Sequence, residues 1–423
     1  MHPFRITRLE MQDIGPFGRL TLDFPEKPVD FADKAEIHIL TGENGTGKTT
    51  ILEALGSAYG RINLSATKSR FEGNRSGFVI HFGDDGTVAC IPNQSSLTYE
   101  KDINRIEKGY REGFSTNRYS VAFFAYAGYR RMGDNVKISG INELQEHPFQ
   151  NAINFQYSVN PQAILQWIAN TITKEALAKN ELDPISAKRF RDAISHLEVT
   201  ISAIIEKTVR FSLRYDPLDV LIEVSGETLD FNVLPDGLKS IISWIADLLM
   251  RMDRVRWEND TPVLERNFIL FLDEIEVHMH PAWQRKILPA VQNLFPNAQI
   301  FVSTHSPFVV GSVDGAWIHK LVKPNGDSHL AKGYPMLSED AKSYRYWLDE
   351  VFGIKEQFGP DVERDMDEFY ALRNRVLREE DGNLPEQLLQ LGRNLAIQST
   401  EVNQIIEMEI RQLNRQKGLQ LSL

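Results

Sequence analysis

Cysteine is nearly absent from this 423-residue chain: Cys90 stands alone. One thiol cannot form a disulfide framework or a multi-thiolate zinc site, and it suits a reducing compartment. Long apolar runs are missing too. The first residues, Met1-His2-Pro3-Phe4-Arg5, hold no hydrophobic stretch of signal-peptide length, and no later stretch reaches the length of a membrane span. A cytoplasmic protein with no membrane partner is therefore expected. There is no low-complexity tract and no internal repeat. A formal net charge of −11 argues against a surface given over to nucleic acid. A local basic stripe stays open, because Lys68, Arg70, Arg75, Arg105, Arg111, Arg118, Arg130 and Arg131 fall in the first third.

What is present is ordinary for a globular protein, with 42% hydrophobic and 25% charged residues. The length allows two or three domains. The most specific stretch is Gly42-Glu43-Asn44-Gly45-Thr46-Gly47-Lys48-Thr49-Thr50, a full match to G-x-x-x-x-G-K-[ST]. Glu36 to Thr41 reads as a strand before it, and Ile51 to Leu55 as a helix after it. A strand, a glycine loop and a helix N-terminus converge backbone N–H groups on a phosphate. Gly42, Asn44, Gly45, Thr46, Gly47, Lys48, Thr49 and Thr50 are thus the candidate ATP-binding set. Lys48 would face the β/γ-phosphates, and the Thr49 hydroxyl would ligate Mg²⁺.

Residues 4–11 and 19–24 alternate as strands, broken at Gly15-Pro16-Phe17-Gly18. Residues 78–82 and 87–91 flank Gly83-Asp84-Asp85-Gly86 as a hairpin. Val121 to Tyr126 reads as a strand buried on both faces. Around 160–208 the apolar spacing turns helical, and strands return at 209–215 and 220–224. Further on, Phe268 to Leu272 is an apolar strand that delivers Asp273 and Glu274 at its end. In phosphoryl transfer that arrangement holds Mg²⁺ through Asp273 and polarises the attacking water through Glu274. Gln299 to Ser303 is another buried strand, and it leads to His305, whose imidazole could donate to a γ-phosphate oxygen. Leu234-Pro235-Asp236-Gly237 opens a helical run over Ile241 to Leu249.

The order of these elements resembles the ABC class of ATPases, in its RecF/SMC-like branch. That resemblance implies a mixed sheet with an antiparallel β lobe, a helical insertion and a helical C-terminal tail. It also implies a head-to-tail homodimer or higher homo-oligomer, in which Leu234, Asp236 and Gly237 close on ATP held by a neighbour. Pro235 stands where the family usually has serine, which removes a hydroxyl donor from that contact. Glu276, His278 and His280, in Glu274-Ile275-Glu276-Val277-His278-Met279-His280-Pro281, resemble the E-x-H-x-H-P segment of overcoming-lysogenization-defect-like ATPases and hold the D-loop position. A metal site from the same three residues is the rival reading. No glutamine stands at the Q-loop position, and Arg130 is the candidate coupling residue there.

The segment Leu348-Asp349-Glu350-Val351-Phe352-Gly353 resembles one in the ATPase subunits of Septu-type and retron-associated anti-phage systems. The implied function is a nucleotide-gated sensor or scaffold controlling a separately encoded effector, a nuclease. The alternative is a RecF-like ATP-dependent protein that binds DNA in repair or replication. Asp365-Met366-Asp367 has the look of a nuclease D-x-D but lies in a helical pattern, so no nuclease of its own is expected. The expected domains are 1–135 with the phosphate loop, 136–208 as the insertion, 209–335 with the remaining motifs, and 336–423 as the tail. In the tail, Val362, Met366, Phe369, Val376 and Leu377 make one apolar stripe. Val402, Ile405, Ile406, Ile410 and Leu413 make another. A helical pair packing on its own domain and a partner-docking surface are both open.

Overall fold

The apolar runs at 36–42, 122–126, 268–272 and 298–303 become neighbouring strands at the heart of the molecule. The computed structural model describes residues 4–57, 76–83, 86–90, 118–128, 136–138, 140–155, 159–324, 326–339, 342–378 and 383–423. Arg130 and most of the basic cluster lie outside them. Among the described residues, the first of two units, Met1–Phe352, contains three sheets.

The first sheet is an antiparallel lobe in the order β2-β1-β4-β5, from β1 (Ile6–Ile14), β2 (Phe17–Asp23), β4 (Gly77–Phe82) and β5 (Thr87–Cys90). The largest sheet has eight strands. Its main path is β14-β13-β3-β12-β11-β6-β7, and β15 joins the edge of β13. These strands are β3 (Glu36–Gly42), β6 (Ala122–Tyr126), β7 (Ile153–Asn154), β11 (Phe268–Leu272), β12 (Ala298–Ser303), β13 (Trp317–Val322), β14 (His329–Leu330) and β15 (Met336–Leu337). From β13 to β7 every pairing is parallel, whereas β14 and β15 run antiparallel to β13. The third sheet is an antiparallel trio in the order β10-β9-β8, from β8 (Val209–Tyr215), β9 (Leu218–Val224) and β10 (Glu227–Asp230).

A parallel strand covered on both faces needs apolar residues at successive positions, not alternate ones. Strand β11, Phe-Ile-Leu-Phe-Leu, shows why. Ile269 and Phe271 join the core under the antiparallel lobe and α1 (Lys48–Ser57), while Leu270 and Leu272 join the core under the long helices. Those helices are α2 (Pro161–Asn180), α3 (Pro184–Ile205) and α4 (Asp236–Arg254). Asn160 caps α2 and Asp183 caps α3, each through a side-chain oxygen, and a proline follows each cap. Helix α4 is buried along nearly its whole length. Next come α5 (Pro281–Leu294), α6 (Pro307–Val310) and α7 (Tyr344–Glu350).

The span 136–208 is not helical throughout. Residues 140–155 are mainly loop, and they end in β7 against β6. The tail also begins later than 336. Met336 pairs with Ile318, and Trp347 is fully buried against Gly311, so residues up to Phe352 belong to the first unit.

The second unit, Gly353–Leu423, has three helices among its described residues instead of the expected pair: α8 (Pro360–Arg378), α9 (Leu384–Ala396) and α10 (Thr400–Lys417). Both apolar stripes are spent on its own core. Met366, Phe369 and Val376 pack with Val402, Ile406, Ile410 and Leu413, around Leu388 and Leu395 of the unforeseen α9. Val362, Leu377 and Ile405 pack at its margin. That internal burial removes these stripes as a docking surface. Asp365 and Asp367 sit on α8 either side of the buried Met366. No described helix is long and apolar enough to cross a membrane.

Candidate active site

The carboxyl ends of adjacent parallel strands are where open α/β sheets bind ligands. Here β3, β12 and β11 lie side by side in that order and release, in turn, the phosphate loop, the His305 loop and the Asp273-Glu274 turn. Their side chains meet at a cavity of about 330 Å³ lined by Pro16, Asn44, Gly45, Gly47, Lys48, Thr49, Thr50, Glu274 and His305. Sequence distance disappears: Thr49 and Asp273 are 224 positions apart, yet the Thr49 hydroxyl donates to Asp273 Oδ2 at 2.9 Å.

The loop conformation depends on glycine. Gly47 has φ +96°, and a Cβ there would lie 2.4 Å from the Phe17 ring at the β1–β2 turn. Thr46 closes the turn by donating to the Glu43 carbonyl at 2.9 Å. Helix α1 starts at Lys48, whose ammonium donates to the Gly42 and Glu43 carbonyls at 2.9 and 3.0 Å. Burial lowers the Lys48 pKa, and the carboxylates of Asp273, Glu274 and Glu276 oppose that shift. An anion in the cavity would add to that opposition.

Asp273 is only 7% exposed, so its charge needs partners. It accepts from Thr49 and from the Ser303 hydroxyl, the latter at 2.5 Å. Ser303 also accepts from the Glu274 backbone N–H at 2.8 Å. This last residue of β12 therefore orients both acidic neighbours, a role the sequence pattern did not disclose because it acts across strands. Glu274 has φ +44°. Gly128 lies against it so closely that a Cβ there would come 2.8 Å from Glu274 Cβ. A glycine between an aromatic strand and Tyr129 was the available sequence signal for that contact.

His305 is half-buried in the cavity wall. Burial lowers its pKa first and the Lys48 charge lowers it further, with Glu274 and Asp273 opposing. The ring is thus held neutral near pH 7, with one nitrogen free to donate.

Leu234, Asp236 and Gly237 are not brought to this cavity. Leu234 is buried in the helical core, Asp236 is exposed in the first turn of α4, and Gly237 is buried against the His278 carbonyl. Pro235 precedes the helix without a side-chain cap, and its carbonyl accepts from Leu238 and Lys239 instead. The D-loop trio divides. His278 is exposed at φ +65°, and His280 caps α5 by accepting from Ala282 N at 3.2 Å. Glu276 turns inward and accepts from Thr304 and from the backbone of His305. With Glu276 and His280 so engaged, the trio does not converge as a ligand set.

The oxygen donors of Thr49 and Asp273 suit a hard divalent cation such as Mg²⁺. The glycine loop, Lys48 and the α1 N-terminus suit a polyphosphate.

A family model described as an AAA domain matches residues 8–206. A second, described as "AAA domain, putative AbiEii toxin, Type IV TA system", matches residues 178–311. The Vibrio cholerae serotype O1 biovar El Tor retron Vc95 probable ATPase is 34% identical over 380 residues, covering 73% of this chain and 72% of that protein. The Septu protein PtuA of Bacillus thuringiensis is 24% identical over 368 residues, covering 84% of this chain and 86% of that protein. The Escherichia coli retron Ec83 probable ATPase is 25% identical over 374 residues, covering 69% and 68%. Among solved structures, an SMC head bound to the C-winged helix domain of ScpA is 14% identical, at a TM-score of 0.46 over 77% of this chain and 97% of that chain.

Proposed function

The chain belongs to the ATPase family that includes the retron Vc95 probable ATPase, and from that premise we propose that it is the nucleotide-gated sensor or scaffold of an anti-phage defence complex. In this reading it assembles head to tail around ATP and governs a separately encoded toxic effector, a nuclease. The Septu and retron names of its relatives support the defence role over a RecF-like repair protein.

One observation carries the chemistry: Lys48, Thr49, Glu274 and His305 line a single cavity, with Asp273 bonded to Thr49. In hydrolysis, water attacks the γ-phosphorus and the bond to the β-bridging oxygen breaks. Lys48 binds the β/γ-phosphate oxygens, and the loop N–H groups cradle the rest. Glu274 orients the attacking water and accepts its proton. The neutral His305 donates to a γ-phosphate oxygen. Mg²⁺, when held by Thr49 and Asp273, would neutralise charge developing on the phosphates.

The test is Glu274→Gln, examined with ATP by size-exclusion light scattering and by turnover. Loss of a water-orienting base costs about 10²–10⁴-fold in rate, so slow hydrolysis and an accumulating ATP-held oligomer are expected. Co-expression with the neighbouring genes should retrieve a nuclease in the same complex. A chain that stays monomeric with ATP in both wild type and Glu274→Gln would defeat the head-to-tail assembly.

A further inference from the structure

Residues 276–284 touch two places that the phosphate loop does not join: the His305 loop and the start of α4. Glu276 lies on the turn after β11, three residues past Asp273. One of its carboxylate oxygens accepts from the His305 backbone N–H at 2.6 Å, and the other accepts from the Thr304 hydroxyl at 2.8 Å. The Thr304 oxygen accepts from Ser306 N at 3.0 Å. The Ser306 hydroxyl then donates to Gln284 at 2.6 Å, and the Gln284 amide donates to the Met279 carbonyl at 2.9 Å. The loop carrying His305 is therefore moored to the turn after β11 by side chains, in addition to its own strand.

Two bonds to one ionised carboxylate are short and strong, and they constrain direction as well as distance. The bond to His305 uses its main chain, so both ring nitrogens stay available. The same turn presents the His278 carbonyl, against which Gly237 packs. The turn after β11 thus supports both the start of α4, through the His278 carbonyl, and the cavity wall, through Glu276.

We infer that Glu276 is a positioning residue for ATP hydrolysis: its grip on Thr304 and His305 sets the His305 imidazole at the nucleotide cavity. This rests on the reading of His305 as the γ-phosphate contact, and goes beyond it by naming what aims the ring. Glu276 touches neither the cavity nor a phosphate; it acts through His305.

The experiment compares ATP turnover in Glu276→Ala, Glu276→Gln, His305→Ala and the double variant Glu276→Ala/His305→Ala. ATP affinity is measured separately with a fluorescent analogue. A displaced catalytic group costs up to about 10²-fold, so Glu276→Ala should lower kcat at least about tenfold while leaving ATP affinity within about twofold. Glu276→Gln should recover most of the rate, because its amide oxygen still accepts from His305 and its N–H can donate to Thr304. In the His305→Ala background, the Glu276→Ala change should add no more than about twofold, as expected for two residues acting as one unit.

A double variant whose losses multiply would overturn the positioning role, as would a Glu276→Gln enzyme as slow as Glu276→Ala. If Glu276→Ala does not fold, Glu276→Asp replaces it, since the shorter arm cannot hold both bonds, and the same outcomes decide. A wild-type rate in His305→Ala would instead sink the assignment of His305 itself. The two failures are therefore distinct.

Discussion

Gly237 and the His278 carbonyl meet at a separation that admits no side chain: a Cβ on Gly237 would lie 2.6 Å from the oxygen and 3.1 Å from the Trp283 ring. The glycine that opens α4 thus has a reason within its own chain. Resemblance alone assigns it to a neighbour's triphosphate, where the bare helix end would offer N–H groups. Both uses need a residue without a side chain, so a bulky substitution at Gly237 cannot separate them.

Gly237→Ala should be destabilising by about 1–3 kcal/mol, because the obstructing atom is a backbone oxygen that cannot rotate aside. Thermal melting reads this directly, and an unchanged melting temperature would show that the turn at His278 yields. Asp236→Arg separates the two roles, since Asp236 is exposed. Placing a cation in the first turn of α4 costs about 0.3–1 kcal/mol through the helix dipole, so its melting should fall only slightly. Altered ATP-driven self-association in that variant would then report a contact between chains.

Ser303→Ala should act on metal use more than on ATP affinity. It removes the 2.5 Å bond to Asp273 and the acceptor for the Glu274 N–H. Loss of such a supporting partner typically weakens metal binding by about 10–100-fold. The Mg²⁺ concentration giving half-maximal turnover should rise by about tenfold or more, which a titration at saturating ATP measures. An unshifted Mg²⁺ midpoint would leave Ser303 a structural residue.

The reason Ser303 escaped the sequence while Lys48 did not is geometric. Gly42 to Thr50 is contiguous, and its strand and helix adjoin it, so the pattern contains its own context. Phe268 to Leu272 and Gln299 to Ser303 are apolar enough to read as doubly covered strands. Their adjacency, which lets Ser303 reach Asp273, is a property of the sheet order. Gly128 likewise matters through Glu274, 146 positions away. In the second unit, Pro385 and Gly392 blurred the pattern of α9. Yet Gly392 sits where a Cβ would be 3.3 Å from both Ile406 and Phe369, so the apparent helix breaker permits close helix packing.

Lys48→Ala should abolish stabilisation by ATP. The ammonium is buried among backbone carbonyls and faces the cavity near three carboxylates. Removing a buried partner of a charged ligand costs about 2–5 kcal/mol, or roughly 30-fold or more in affinity. Wild-type protein should melt higher as ATP is added, following mass action. The variant should show no shift at the same concentrations. An equal shift in both would place the nucleotide elsewhere.

Much of the acid sensitivity should arise outside the nucleotide cavity, at a buried relay across β3 and β13. Arg5 donates to Glu36, Glu36 lies 2.8 Å from His38 Nε2, and His38 Nδ1 lies 3.2 Å from His319 Nε2. Both rings are fully buried, and burial lowers both pKa values, that of His319 well below normal. Burial would raise the Glu36 pKa, but His38 and Arg5 outweigh it and hold the carboxyl below its usual value. Neutral rings satisfy the chain of contacts if His319 Nε2–H donates to His38 Nδ1 and His38 Nε2–H donates to Glu36. A proton added at His319 Nδ1 would meet no hydrogen-bonding partner among the described residues. The unfolded chain takes up protons on these histidines as pH falls through about 6.5, while the folded chain does not until lower pH. Stability is therefore greatest above that pH and declines below it, by at most about 1.4 kcal/mol per pH unit per ring. His305, also lowered, contributes in the same direction. Urea midpoints between pH 7.5 and 5.5 should fall for the wild type and fall less for His319→Gln, which has no ring to titrate. Equal slopes in the two proteins would remove His319 as a source of the acid loss.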